Sequence, residues 1–190
     1  MIFGIISAMW ENDFWKVCAA LDNPKRLALL RLLVESKSEF PCVIEIAEKM
    51  DLSVGVTSLY LKQLREVGLV SSACADRRVY YRAFPADARG EAVVEAFRRF
   101  FAARPTEQRL FDLLGVVRAL AHRRRNAYLR FLARHQGHGL MEAAKRLEMP
   151  PATIDRLCNQ LAHAHLVDAT GCVARPGREP EDVLLQQTLA

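Results

Sequence analysis

Leu27, Leu30, Leu33 and Val34 recur at helical spacing just after Asp22, Asn23 and Pro24, residue types that start a helix. A shorter apolar stripe of Val43, Ile46, Ala47 and Met50 predicts a second helix. Ser53 is then placed to cap a third, whose interior positions are Thr57, Leu61 and Leu64. Gly68 ends it, because the C′ position favours a left-handed backbone that glycine adopts without strain. Beyond Gly68 the period shortens. Leu69 to Ser72 and Val79 to Phe84 predict two short strands flanking a turn over Cys74 to Arg78, and Pro85 closes the unit. Two helices, a tight turn, a third helix and a ribbon with a basic tip predict a winged helix-turn-helix.

The same succession returns further along. Leu21 to Arg26 with Leu30 to Leu33 aligns on Leu120 to Arg125 with Leu129 to Leu132, at an offset of 99. Ala47, Met50, Leu52, Gln63, Leu64, Leu69 and Val70 align on Ala144, Leu147, Met149, Gln160, Leu161, Leu166 and Val167, at an offset of 97. The difference places a slightly shorter loop at His135 to Gly139 in the second copy. Between the copies, Ala92, Val93, Ala96, Phe97, Phe100 and Phe101 make a broad apolar face on a helix over 88–103, which needs a partner. Pro105 ends it. Thr106 caps another helix, carrying Leu110, Leu113, Leu114, Val117 and Leu120 into the second copy. A ribbon is expected around Thr170 to Gly177, and Val183, Leu184, Leu185 and Leu189 predict a last helix.

The expected fold is therefore mainly α with small β wings: two tandem winged helix-turn-helix domains joined by long amphipathic helices. Domain 1 covers 1–104, with an apolar N-terminal arm over Met1 to Trp15 and a C-terminal packing helix. Domain 2, a divergent copy, covers 105–190. Either the two copies pair within the chain as a pseudo-dimer, or the arm and the 88–103 helix join two chains; duplication of a twofold protein favours the first.

Composition adds little to this picture. The chain has 190 residues, 51% hydrophobic and 26% charged, with a net charge of +5 that suits a polyanion without requiring one. Five cysteines, odd in number and without a C-x-x-C pair, argue for reduced thiols and a cytoplasmic setting. The apolar N-terminus is too short to span a bilayer and lacks a basic n-region, so no membrane association is expected.

The first copy resembles the ArsR-type winged-helix transcription regulators. ALDNPKRLALLRLL matches the helix before the motif, IAEKMDLSVGVTSLYLKQLREVGLV the helix-turn-helix, and RRVYYRAFP the wing. The resemblance runs from about Phe14 to Phe101, and the Leu-Lys-x-Leu-Arg-Glu-x-Gly-Leu-Val run is its strongest element. It implies a regulator that binds double-stranded DNA, usually as a twofold dimer with outer helices at the interface. Some members sense metals through paired cysteines near the third helix or through Asp and His on the last. Here Cys42 stands alone and the 88–103 helix has no histidine, so neither arrangement is expected.

In a helix-turn-helix the second helix enters the major groove with its first turn foremost. Its outward residues here are Val54, Gly55, Ser58 and Leu59, followed by Lys62 and Arg65. Gly55 allows close backbone approach, Val54 and Leu59 suit thymine methyl groups, and Ser53, Thr57, Ser58 and Tyr60 can bond phosphate or a base edge. Lys62, Arg65, Arg77, Arg78 and Arg82 supply phosphate contacts from helix and wing. In the second copy Pro150 and Pro151 replace Ser53 and Val54, removing a hydroxyl and two N–H donors, and Asp155 replaces Ser58. Arg156 and Asn159 remain as base readers there, while its wing holds only Arg175 and Arg178. The run His122 to Arg125, with Arg130 and Arg134, reads equally as a phosphate grip or as a solvated helix face, as do Lys25 and Arg26.

Catalytic motifs are absent: the chain carries no phosphate loop, nucleophile elbow or H-E-x-x-H helix, so it is not expected to be an enzyme. Cys158, His163, His165 and Cys172 are four zinc-ligand types, but their spacing matches no strong pattern and Cys158 takes a core position. Neither cofactor nor metal is expected. The competing reading is a protein-interaction or scaffold module that keeps the shape without touching DNA, for which Val54, Leu59 and Asp155 argue.

Overall fold

The computed structural model describes residues 14–36, 40–85, 88–135, 140–168 and 180–189. Helices α1 (Trp15–Leu21), α2 (Pro24–Glu35), α3 (Val43–Met50) and α4 (Val54–Glu66) lead into strands β1 (Ser71–Ala75) and β2 (Arg78–Arg82). Then come α5 (Ala88–Ala102), α6 (Glu107–Leu120), α7 (Arg123–Arg134), α8 (Leu140–Arg146), α9 (Pro151–His163) and α10 (Glu181–Leu189). The fold is mainly helical, and among the described residues it has a single wing. The arm before Phe14 and the expected second ribbon, with Cys172, Arg175 and Arg178, lie outside them.

Local chemistry explains the boundaries. Asn23 Oδ1 accepts from the backbone N–H groups of Lys25 and Arg26 at 2.9 and 3.1 Å, and Pro24 loses nothing at a position whose N–H has no helical partner. Glu45 accepts from Cys42 N at 2.8 Å, the returning half of a capping box. Gly68, at φ 74°, ends α4 with Leu69 N–H bonded to Leu64 O at 3.0 Å and its own N–H to Arg65 O at 2.9 Å, a Schellman motif. The wing departs from expectation. Asp76 and Arg77 both take positive φ, 49° and 62°, as a two-residue hairpin turn of the primed kind demands. The strands therefore extend to the tip, pairing Ser71 with Arg82 and Ala75 with Arg78, and the predicted turn over Cys74 to Arg78 shrinks to its centre.

The two halves share backbone detail at their helix ends. Asp51 and Glu148 both take left-handed φ at the ends of α3 and α8, and the next N–H returns to Ala47 and to Ala144 at 3.0 Å in each case. His165 occupies the place of Gly68 with the same two hydrogen bonds, at φ 56°. A β-carbon in that conformation is strained, so His165→Gly is expected to stabilise the chain by about 1 kcal/mol, read as a higher midpoint in thermal or urea unfolding.

Packing repeats as well. Helices α2, α3 and α4 contact one another in the pattern of α7, α8 and α9, and α5 lies on α2 as α10 lies on α7. Helix α1, unforeseen in the sequence, packs on α2 as the end of α6 packs on α7. The halves meet through equivalent elements: α1 against α6, and α5 against α10. Their buried side chains merge into one apolar cluster, in which Phe14, Leu21, Phe97, Phe101, Leu113 and Leu120 are almost wholly enclosed. Across this junction Arg118 pairs with Asp22 at 3.1 Å.

Candidate nucleic-acid interface

Leu61 and Leu64 anchor α4 in the core, leaving its opposite face in solvent. Ser53 Oγ accepts from Val56 N–H at 3.3 Å, so this hydroxyl already caps the helix. Val54 and Leu59 are 45% and 52% exposed, so the leading turn presents apolar side chains to solvent. A β-carbon added at Gly55 would meet nothing within 4 Å; this glycine answers no packing need inside the chain and leaves its backbone open to an approaching ligand. Ser58 is half-exposed beside them. Lys62 reaches solvent, with Glu66 3.9 Å away.

Arg65 donates to Ser72 Oγ at 3.1 Å and Arg82 to Ser71 Oγ at 3.1 Å, fixing the base of the wing to α4 through one and bracing the two strands through the other. Arg77 and Arg78 are exposed at the tip. Lys62, Arg65, Arg77, Arg78 and Arg82 are thus carried by the exposed helix face and the wing braced to it. Tyr60 is half-buried, with the Arg26 guanidinium 5.8 Å from its ring centre, and faces inward more than toward a groove.

Thr57 requires a correction. Its side chain is wholly buried and its hydroxyl has no hydrogen-bond partner, so it cannot reach a base edge or a phosphate. The second copy has Ile154 here, also buried. Replacing Thr57 by valine is expected to raise stability by up to about 1 kcal/mol, measured by denaturant unfolding, because an unpaired buried hydroxyl is removed. Binding to any duplex should be unchanged.

The suggested phosphate grip also changes. Arg26 donates through Nε to Ala20 O, through Nη2 to Ala19 O at 2.9 Å and through Nη1 to Gln63 Oε1 at 3.0 Å. Arg125 makes the same three bonds to Ala119 O, Arg118 O and Gln160 Oε1, at 2.6, 2.5 and 3.1 Å. Each guanidinium clamps the end of one helix to the last turn of the outward helix, and partial burial lowers the pKa of both. These arginines orient the helix-turn-helix instead of gripping phosphate. Sequence reasoning missed the clamp, although Arg and Gln recurring together in both copies was its signal.

On the second outward helix, α9, Pro150 and Pro151 leave no side-chain cap. Asp155 and Arg156 are exposed, and the Asn159 amide leans on Asp155 at 3.4 Å. Of the four zinc-ligand types noted in the sequence, Cys172 lies outside the described residues and the other three have contacts of their own. The Tyr128 phenol, hydrogen-bonded to Cys158, has its pKa pushed up, by burial first and then by that bond. The His163 ring meets Asn159 O at 2.7 Å, and His165 forms the left-handed helix end. Among the described residues no three such side chains converge on a metal-sized site.

His122 caps α7 by accepting from Arg124 N–H at 3.2 Å, which requires an unprotonated Nδ1. Its pKa is lowered, by burial first and then by Arg125, Arg124 and Arg156. With the folded value depressed, its stabilising contribution is present above the unfolded value, about 6.5, and is lost as pH falls through the folded one. His122→Asn, the residue type of the first copy, is expected to flatten that part of the stability–pH profile in urea titrations below pH 6.5. An unchanged slope would remove His122 as its source.

Comparison with known proteins distinguishes the two halves. Residues 23–72 match the model of the bacterial regulatory protein, ArsR family. The first half thus contains an ArsR-type helix-turn-helix module. Residues 127–170 match a different model, the IclR helix-turn-helix domain, so the second half is not simply another ArsR-type copy, despite its repeated geometry. Both models describe regulatory modules and neither is catalytic. No curated protein and no solved structure matches the chain. No helix among the described residues is long and apolar enough to cross a membrane.

Proposed function

We propose that the protein is a DNA-binding transcriptional regulator in which α4 and the wing of domain 1 form the principal reading surface for double-stranded DNA. The carrying observation is the exposed first turn of α4 beside a braced ribbon, with Lys62, Arg65, Arg77, Arg78 and Arg82 on the two elements. Ser53 and Ser58 add polar contacts, and Val54, Gly55 and Leu59 provide a smooth surface for thymine methyl groups. Domain 2, over 105–190, is a divergent winged helix that acts first as an internal partner. Contact of α1 with α6 and of α5 with α10 supports a pseudo-dimer within one chain. Arg156 and Asn159 give domain 2 at most a secondary reading role.

Selection from random duplexes followed by mobility shift tests this reading: a preferred site, bound more weakly as salt rises, is expected. Failure to bind any duplex at low salt sinks it. A second reading, docking of a protein partner on the same helix, is favoured by exposed Val54, Val56 and Leu59. It wins if pull-down with the intact chain recovers a partner that Leu59→Asp releases, while duplexes are ignored. Light scattering at several concentrations should report a monomer; a stable dimer would exclude the internal pairing as the complete assembly.

A further inference from the structure

Two phenylalanines beside the wing have no part in the DNA reading. Phe40 and Phe84 are each 54% exposed, and the Arg82 guanidinium meets both rings, 5.5 Å from the centre of the first and 4.1 Å from that of the second. Backbone pairing puts Phe40 there. Tyr81 N–H donates to Pro41 O at 3.0 Å and Cys42 bridges Tyr80, so the chain at 41–42 runs along the side of β2 that β1 leaves open. Register then fixes which side chains share a face. Ser71 opposes Arg82, Ala73 opposes Tyr80 and Ala75 opposes Arg78, while Ser72, Cys74, Val79 and Tyr81 alternate to the other side. Most of the first face, with Phe40, lines a hollow of about 660 Å³ that reaches Asp76 in the turn. This volume lies within the roughly 300–1,000 Å³ of small-molecule sites.

Each border of the hollow has its own chemistry. Strand β1 contributes only Ser71, Ala73 and Ala75 on this face, so a flat group can lie over it. Phe40 and Tyr80 add aromatic walls, which attract a further ring beyond the area they cover. Arg82 donates through Nε to Ser71 Oγ at 3.1 Å; among the described residues no acceptor meets its Nη atoms and no carboxylate pairs with it. One hydrogen bond and two cation–π contacts thus hold the guanidinium in place, while its remaining nitrogens suit a carboxylate, bound by paired, charge-assisted hydrogen bonds. Asp76 sets the opposite condition at the far end, where its carboxylate repels a second negative charge. Ser71, opposite Arg82, and Ala75, beside Asp76, lie about 13 Å apart along the strand, room for two fused rings.

We propose that this hollow is a ligand site for a flat aromatic monocarboxylate, with its carboxylate on Arg82, its rings over Ala73 and Ala75 beside Phe40 and Tyr80, and its uncharged end toward Asp76. An aliphatic acid forgoes the aromatic walls, a dianion meets Asp76, and a cation meets Arg82. The location gives the site a regulatory consequence. Arg82 braces β1 to β2, and Arg65 of α4 holds the other face of β1 through Ser72. An occupant that draws on Arg82 therefore acts on the wing that carries Arg77 and Arg78. That consequence rests on the DNA reading; binding of the acid does not.

Calorimetry on the full chain, without DNA and at constant ionic strength, compares 2-naphthoate with cyclohexanecarboxylate and naphthalene-2,6-dicarboxylate. 2-Naphthoate is expected to bind saturably, one per chain, and about tenfold more tightly than either control acid, as aromatic contact and charge repulsion require. Arg82→Gln should weaken it at least about tenfold, because a charged hydrogen-bond partner is lost. Arg82 also braces the strands, so Ala73→Leu supplies the independent test: it fills the floor of the hollow at an exposed strand position and should abolish binding while the unfolding temperature stays the same. Cys74→Ala, on the opposite face, should leave the affinity unchanged. Absence of saturable binding, equal affinity for either control acid, or binding that survives Ala73→Leu overturns the proposal. Saturating 2-naphthoate is further expected to lower affinity for a selected duplex. Unchanged duplex affinity would remove the regulatory consequence alone, and a chain that binds no duplex would remove the DNA reading while the ligand site stands.

Discussion

Replacement of Glu181 by alanine is expected to destabilise the protein by about 3–5 kcal/mol, the cost of leaving one partner of a buried ion pair uncompensated. Glu181 begins α10 and is wholly buried, while Arg109 of α6 engages both its carboxylate oxygens, Nη2 to Oε2 at 2.6 Å. The same guanidinium lies 5.0 Å from the Phe100 ring centre of α5. Three helices from the two halves thus meet at one charge pair. Urea unfolding measures the loss. The matching double substitution, Arg109→Met with Glu181→Leu, should recover most of it, because apolar groups of similar volume often replace a buried pair without net cost. A loss below about 1 kcal/mol for Glu181→Ala would mean that the pair is solvated in solution, as exposed pairs are.

That junction shows where sequence reading reaches its limit. The helices were legible because their signals are local: Asn23 and Pro24 at one start, Thr106 at another, Gly68 at an end, and leucines at helical spacing between. The pairing of Arg109 with Glu181 spans 72 residues, and nothing in either segment announces the other. A basic run at a helix start has the same composition whether it grips phosphate, faces solvent or clamps a neighbouring helix, so Arg26 and Arg125 are open to the first two readings in the sequence and their clamp is hidden there. Only the location of Gln63 and Gln160, brought near by packing, separates them. The wing was found but its turn misjudged. Asp76 and Arg77 carry the positive φ values that glycine or asparagine would have advertised. Thr57 shows the opposite case, an interior spacing that rightly placed it inside and a hydroxyl that wrongly suggested a contact.

The exposed face of α4 suits a DNA groove and a protein partner alike, and the choice between them is electrostatic. Charge reversal at the wing tip, Arg77→Glu with Arg78→Glu, resolves it. Affinity for the selected duplex is expected to fall on the order of 100-fold at low salt, and the dependence of log affinity on log salt to lose about two units of slope, one for each released phosphate contact. Lys62→Ala should remove about one unit. Val54→Ala with Leu59→Ala should leave the slope intact and relax preference among bases, since apolar contacts to thymine release no counterions. On the second outward helix, Arg156→Ala with Asn159→Ala should change affinity by less than about threefold, because no ordered donors at Pro150 and Pro151 position that helix against a backbone. Equal losses from the two helices would instead make both copies readers, and the preferred site should then contain two unlike half-sites about one helical turn apart, ~34 Å.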